Sequence, residues 1–124
     1  MSYHKRVKWK IEYYIDELGE KPIEDFLINL DKEQQGKVWQ VIEQLETYGP
    51  NLDYPFTSQV EGRLRELRIQ AGKTKIRILY YGDVKRSFIL LHGFIKKKPK
   101  VSDSDKKKGL KRMRRDLELK ELKK

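Results

Sequence analysis

Residues Ser87 to Ile95 read S-F-I-L-L-H-G-F-I, an almost unbroken apolar run. It lies between a tight turn at Gly82-Asp83 and the cationic stretch K-K-K-P-K. The run is about half of the roughly 18 apolar residues that a membrane span requires. At this length a continuous apolar segment reads as a strand covered on both faces, and it is the predicted central strand of a sheet. The rest of the chain must therefore supply neighbours for it.

Those neighbours are legible by period. In the segment before it, Ile76, Ile78 and Tyr80 alternate with Arg77, Leu79 and Tyr81, which predicts a strand over Lys75 to Tyr81. Before that, Leu64, Leu67 and Ile69 oppose Glu66, Arg68 and Gln70, with Arg65 beside Leu64 implying a bulge or ragged start. Ala71-Gly72 makes the turn between the two. Val7, Trp9, Ile11 and Tyr13 give a further strand over Val7 to Tyr14.

The stretch between changes period. Lys21-Pro22 opens a helix whose stripe is Ile23, Phe26, Leu27 and Leu30. Asp31 is the expected N-cap of a second helix, with Val38, Val41, Ile42 and Leu45 as its stripe and Trp39 packing beside it. Gly49-Pro50 stops it, and Pro50 to Gly62 reads as a loop rich in turn formers. At the other end, Ser102 with Asp105 forms the S-x-x-D start of a helix over Ser104 to Lys123, with Leu110, Met113 and Leu117 as a thin apolar stripe.

The expected order is β-α-α-β-β-β-α. It describes an α+β domain in which an N-terminal strand and helical hairpin pack on a small, mainly antiparallel sheet. Residues 1–101 form the expected core and 102–124 a basic C-terminal helix of the same domain.

Charge divides the chain unevenly. The net charge is +10, from 29 Lys and Arg against 19 Asp and Glu. Residues 1–62 carry 7 basic and 12 acidic groups, residues 63–100 carry 12 and 2, and residues 101–124 carry 10 and 5. Such asymmetry points to an anionic partner. There is no cysteine, so disulfides, thiol nucleophiles and thiolate metal sites are excluded. No phosphate-cradling loop, dinucleotide fingerprint or nucleophile elbow occurs, and no cofactor is expected. The absence of a secretory or membrane-spanning segment makes a reducing cytoplasm the expected location.

What remains is a concentration of cations on adjacent predicted strands. Arg68 and Arg77 lie on strand faces, and Lys96, Lys97 and Lys98 follow the apolar run. Phosphate contacts supply most nucleic-acid affinity, and Tyr80, Tyr81 and Phe94 offer rings for base stacking. RNA cleavage by 2′-hydroxyl attack needs a base, cations around the phosphate and an acid for the leaving oxygen.

The ordered runs G-R-L-R-E-L-R-I (62–69), K-I-R-I-L-Y-Y (75–81) and F-I-L-L-H-G-F-I-K-K-K (88–98) resemble the RelE/ParE toxin superfamily. Within it they are similar to the phage-derived HigB-like branch. The P-I-E-D-F-L helix and the basic C-terminal helix fit the same pattern, so the likeness covers about residues 7 to 116.

The resemblance implies a microbial-RNase-like fold, metal-independent and ribosome-dependent mRNA cleavage, and neutralisation by a helix-turn-helix, HigA-like antitoxin. Carried over by position, the E-L-R arginine is Arg68 and the second strand's arginine is Arg77, with Ile76 where an aromatic usually precedes it. The paired cations are Lys96 and Lys97. RelE-type enzymes place a catalytic Tyr near the C-terminus, and another HigB branch uses a C-terminal histidine region; this chain has no aromatic after Phe94 and no histidine after His92. The general base is therefore His92, Tyr80, Tyr81 or a lysine.

The catalytic candidates are Arg68, Arg77, His92, Lys96 and Lys97. The candidates for RNA contact are Arg65, Lys75, Tyr80, Tyr81, Lys98 and Lys100. Each has a plainer reading. Arg77 pairs with Glu66 or Asp83, Arg68 and the lysines are solvated, and the tyrosines are packing. His92, predicted on the side of Phe88, Leu90 and Phe94, is a core residue. Two other functions fit the same scaffold: a ParE-like gyrase poison, and a degenerate homologue that binds RNA without cutting it.

Overall fold

The computed structural model describes residues 8–83 and 85–123. Val7, which opens the first predicted strand, lies outside them. Within them the order is β1 (Lys10–Tyr13), α1 (Pro22–Ile28), α2 (Lys32–Tyr48), a single 3₁₀ turn (Gly49–Asn51), β2 (Thr57–Glu61), β3 (Leu64–Ala71), β4 (Thr74–Asp83), β5 (Ser87–Ile95) and α3 (Asp103–Leu122). The five strands form one sheet in the order β1-β5-β4-β3-β2, with β1 parallel to β5 and every other pair antiparallel. Among the described residues no helix is long and apolar enough to cross a membrane.

Local chemistry sets the helix ends. Pro22 occupies the first turn of α1, where a missing N–H leaves no hydrogen bond unmade. Asp31 caps α2 reciprocally: its carboxylate accepts from the Gln34 backbone at 2.8 Å, and Gln34 Oε1 accepts from the Asp31 backbone at 3.0 Å. Gly49 ends α2 at φ +57, and a Cβ there would collide with the Trp9 indole. Ser102 caps α3 by accepting from the Asp105 N–H at 3.1 Å.

Both faces of the sheet are covered. The α1 and α2 stripes, with Ile23, Leu27, Val38, Ile42 and Leu45 buried, pack on Leu67, Ile69, Ile76, Ile78 and Leu90. Leu110, Met113 and Leu117 of α3 pack on Leu64, Leu79, Tyr81, Ile89 and Leu91 from the other side. Polar bonds fasten α3 along its length. Arg112 donates to the Leu91 carbonyl at 2.8 Å, Arg115 donates to the Ile15 carbonyl at 2.8 Å, and the Tyr81 hydroxyl donates to Asp116.

Four expectations need correction. Residues 57–61, read as loop, form the edge strand β2; an edge strand with only Thr57 buried shows no apolar alternation. The centre of the sheet is β4 and not β5, because the buried cation Arg77 interrupts what is otherwise a two-faced apolar strand. Trp39 is 45% exposed instead of packed.

The fourth correction concerns parity. Leu79 pairs with His92 but Tyr80 pairs with Leu90, so Leu91 is an extra residue and the face alternation flips there. Phe88 and Leu90 face the helical hairpin, whereas His92 faces α3. Gly93 takes the place under the Phe26 ring of α1, where a Cβ would clash.

Candidate functional site

The helix α3 begins over the Leu79–His92 pair, and the next cross-strand row lies beyond its start. That row is Arg68–Arg77–Phe94, running from β3 through β4 to β5. Period two places Glu66 beside Arg68 on this face, Lys75 beside Arg77 and Lys96 beside Phe94. The β-ladder thus brings together cations that are up to 28 positions apart in sequence.

Glu66 holds the group together. Its Oε1 accepts from Ser58 Oγ at 2.8 Å and from Arg68 Nη1 at 3.1 Å, and its Oε2 lies 3.9 Å from Arg77 Nε. Glu66 and Arg77 are each 4% exposed. Arg77 Nη1 donates to the Ile76 carbonyl at 3.0 Å, while Arg77 Nε and Glu66 Oε2 have no hydrogen-bond partner. A buried ion pair too long to be a hydrogen bond is costly, and polar atoms left without a partner call for a reason, of which a functional role is one.

Arg68 lies nearer the surface. It donates to the Pro55 carbonyl at 3.1 Å, and its guanidinium sits 5.1 Å from the centre of the exposed Tyr54 ring.

The electrostatics follow from this crowding. Burial lowers the Arg77 pKa, and the neighbouring charge of Arg68 lowers it further against the opposing pull of Glu66. Burial lowers the Lys96 pKa too, followed by repulsion from Arg77. Among the described residues the group holds three cations around one carboxylate. An excess of positive charge on a partly desolvated surface favours a bound anion. Among the described residues no set of three His, Asp or Glu gathers as a metal site.

The other predicted residues divide. Lys97, Lys98 and Lys100 are exposed on the segment that joins β5 to α3, and Lys75 is exposed beside Arg77. Arg65 points to the opposite face, where it donates to Thr57 Oγ1 at 3.2 Å, so it does not join the group. Tyr80 is 2% exposed and Tyr81 is fully buried, in the two opposite cores. Neither ring has a face for a base to stack on, because a two-sided central strand turns both inward. Burial raises both phenol pKa values, and for Tyr81 the hydrogen bond to Asp116 adds to it.

His92 is committed elsewhere as well. Its Nε2 is 2.7 Å from Asp105 Oδ1, and its ring stacks on Phe94 at 5.4 Å. Burial lowers its pKa despite the opposing pull of Asp105, so the neutral ring donates Nε2–H to the carboxylate and ties β5 to the start of α3.

Sequence reasoning assigned no role at the site to two residues here. Glu66 was visible as an ion-pair partner for Arg77, and its in-phase position two residues from Arg68 is the signal for its anchoring role. Tyr54, 69% exposed, sits in a segment read as loop and carries no such signal.

No curated protein matches the chain. A family model described as phage derived protein Gp49-like (DUF891) matches residues 25–114, most of the chain. The matched span runs from α1 into α3 and includes every member of the Glu66, Arg68, Arg77 and Lys96 group. By this match the chain belongs to the phage-derived Gp49-like family, part of the RelE/ParE-like toxin superfamily.

Proposed function

We propose that the protein is the HigB-like toxin of a type II toxin–antitoxin pair, arresting translation as a metal-independent endoribonuclease that cuts mRNA on cytoplasmic ribosomes. The observation that carries this reading is the convergence of Arg68, Arg77 and Lys96 around Glu66 beyond the start of α3, in a chain of a toxin superfamily. Superfamily membership supports an antitoxin partner, and a helix-turn-helix, HigA-like protein is the proposed form of it.

In this mechanism Arg68 and Arg77 hold the scissile phosphate and neutralise the charge that gathers on it. As Arg68 turns from Glu66 to the phosphate, the carboxylate is released to take the 2′-hydroxyl proton. The 2′ oxygen attacks phosphorus, and the bond to the 5′ oxygen breaks. Lys96, made a readier acid by burial and by Arg77, protonates that oxygen. The products are a 2′,3′-cyclic phosphate and a 5′-hydroxyl end. Lys75, Lys97, Lys98 and Lys100 neutralise flanking phosphates, and His92 fastens α3.

The test is induction in cells followed by mapping of mRNA ends. Wild type is expected to create new 5′ ends at fixed positions within codons, and Arg77→Ala to lose most of them. Full cleavage by Arg77→Ala overturns the assignment. Double-strand DNA breaks in place of mRNA ends point instead to a gyrase poison.

A further inference from the structure

Beside the cation group, a cleft of about 330 Å³ opens at the edge of the sheet between α2, the Pro55-Phe56 segment and the end of β3. This volume falls within the range of small-ligand sites, roughly 300–1,000 Å³. Arg68 and Arg77 line one end of it, so the cleft starts where a bound phosphate would lie. Its walls are of a different kind. Phe56, 37% exposed, and Val41 supply apolar surface, and Gln40 and Gln70 supply amides.

The sheet edge adds backbone groups. The Arg68 N–H points out of the ladder to the Phe56 carbonyl at 2.8 Å. Antiparallel alternation sends the Gln70 N–H and C=O the same way, past the point where β2 begins. The Gln70 side-chain nitrogen is held by the Gly72 carbonyl at 2.6 Å, which leaves its Oε1 as an acceptor.

We infer that this cleft is a nucleobase subsite, which takes the base of the nucleotide whose phosphate lies on Arg68 and Arg77 and reads its edge with Gln40 and Gln70. The inference rests on the RNA reading above. An aromatic wall, with mixed donors and acceptors beside it, suits a flat heterocycle that offers both on one edge. An acidic peptide would need cations along the whole cleft, and beyond the arginines the lining has only Lys37.

The experiment titrates the full chain with inorganic phosphate and with each of the four nucleoside 3′-monophosphates. At least one nucleotide is expected to bind five- to tenfold more tightly than phosphate, about the worth of one stacked base. Phe56→Ala should abolish that excess with phosphate affinity unchanged, and Gln40→Ala should change which base is preferred. Arg68→Gln should weaken phosphate and nucleotides alike. Four nucleotides that bind no tighter than phosphate, or an excess that survives Phe56→Ala, overturn the subsite. Base-dependent binding by a wild type that cuts no mRNA keeps the subsite and removes the nuclease.

Discussion

Two clusters of charged side chains lie at opposite ends of α3, and their composition is inverted. At its C-terminal end one cation faces three carboxylates, with Lys120 Nζ at 2.9 Å from Asp116, 3.3 Å from Asp83 and 3.7 Å from Glu12. Beyond its N-terminal end, Arg68 and Arg77 pair with Glu66, and Lys96 adds its charge close to Arg77. The first cluster joins a helix to two strands, and the Tyr81 hydroxyl closes it from below. The second leaves positive charge unanswered by the described residues. Charges that tie a helix to two strands mark a fastening, and a cationic excess beside an open cleft marks a place for an anionic partner.

The largest expected effect breaks the excess. Arg77→Ala should reduce RNA cleavage by about a hundredfold or more, the loss usual for one charge-stabilising donor. Arg77→Lys should recover little, since an ammonium lacks the planar fork that reaches Glu66 and the Ile76 carbonyl together. Timed cleavage of a defined transcript on ribosomes, with circular dichroism to verify folding, decides it. Equal rates for wild type and Arg77→Ala would erase the distinction between the clusters.

Next is the fastening. Tyr81→Phe removes a buried hydroxyl and should cost about 1–2 kcal/mol of stability, read from urea unfolding, while cleavage by the folded protein stays unchanged. An unfolding midpoint equal to wild type would show that the C-terminal cluster fastens nothing.

The pH dependence sharpens the boundary between the two. Burial sets the His92 pKa below 6.5, its usual value, so folding favours the neutral ring. Its contribution is then complete above pH 6.5 and declines as pH falls through the folded-state value. Urea midpoints should fall on acidification below pH 6.5, and His92→Gln should flatten that part of the profile. A profile unchanged by the substitution would mean that the tie from β5 to α3 does not titrate.

The smallest effect is expected from the exposed lysines. Lys97→Ala should weaken RNA binding evenly across sequences and lower the salt slope by about 1, the signature of one phosphate contact. Salt titrations of RNA binding measure this directly. A slope that does not move assigns Lys97 to solvent.

The candidate site was half legible in the chain. Arg77 stands out as the one charge among Ile76, Ile78, Leu79, Tyr80 and Tyr81, and Arg68 as a cation on the polar face of the strand before it. The grouping of Lys96 with them followed from strands being neighbours. Glu66 as their anchor and Tyr54 at their rim depended on distances between segments, which periodicity does not encode. Tyr80 and Tyr81 could be read as rings for stacking or for packing, and two-sided cover of β4 decides for packing.

By itself the sequence determined what is local: the strand and helix periods, the caps at Asp31 and Ser102, the stop at Gly49, and the division into acidic and basic portions. These depend on spacings of two to four residues and on the backbone preferences of single side chains. Only the tertiary structure decided the register. One extra residue at Leu91 turns His92 from the hairpin face to α3. The ladder aligns Arg68 with Arg77, and β2 pairs with β3 only as far as Leu67, which leaves open the edge that frames the cleft. Register is a property of pairs of strands, set by how two buried faces fit together, and no single strand carries it.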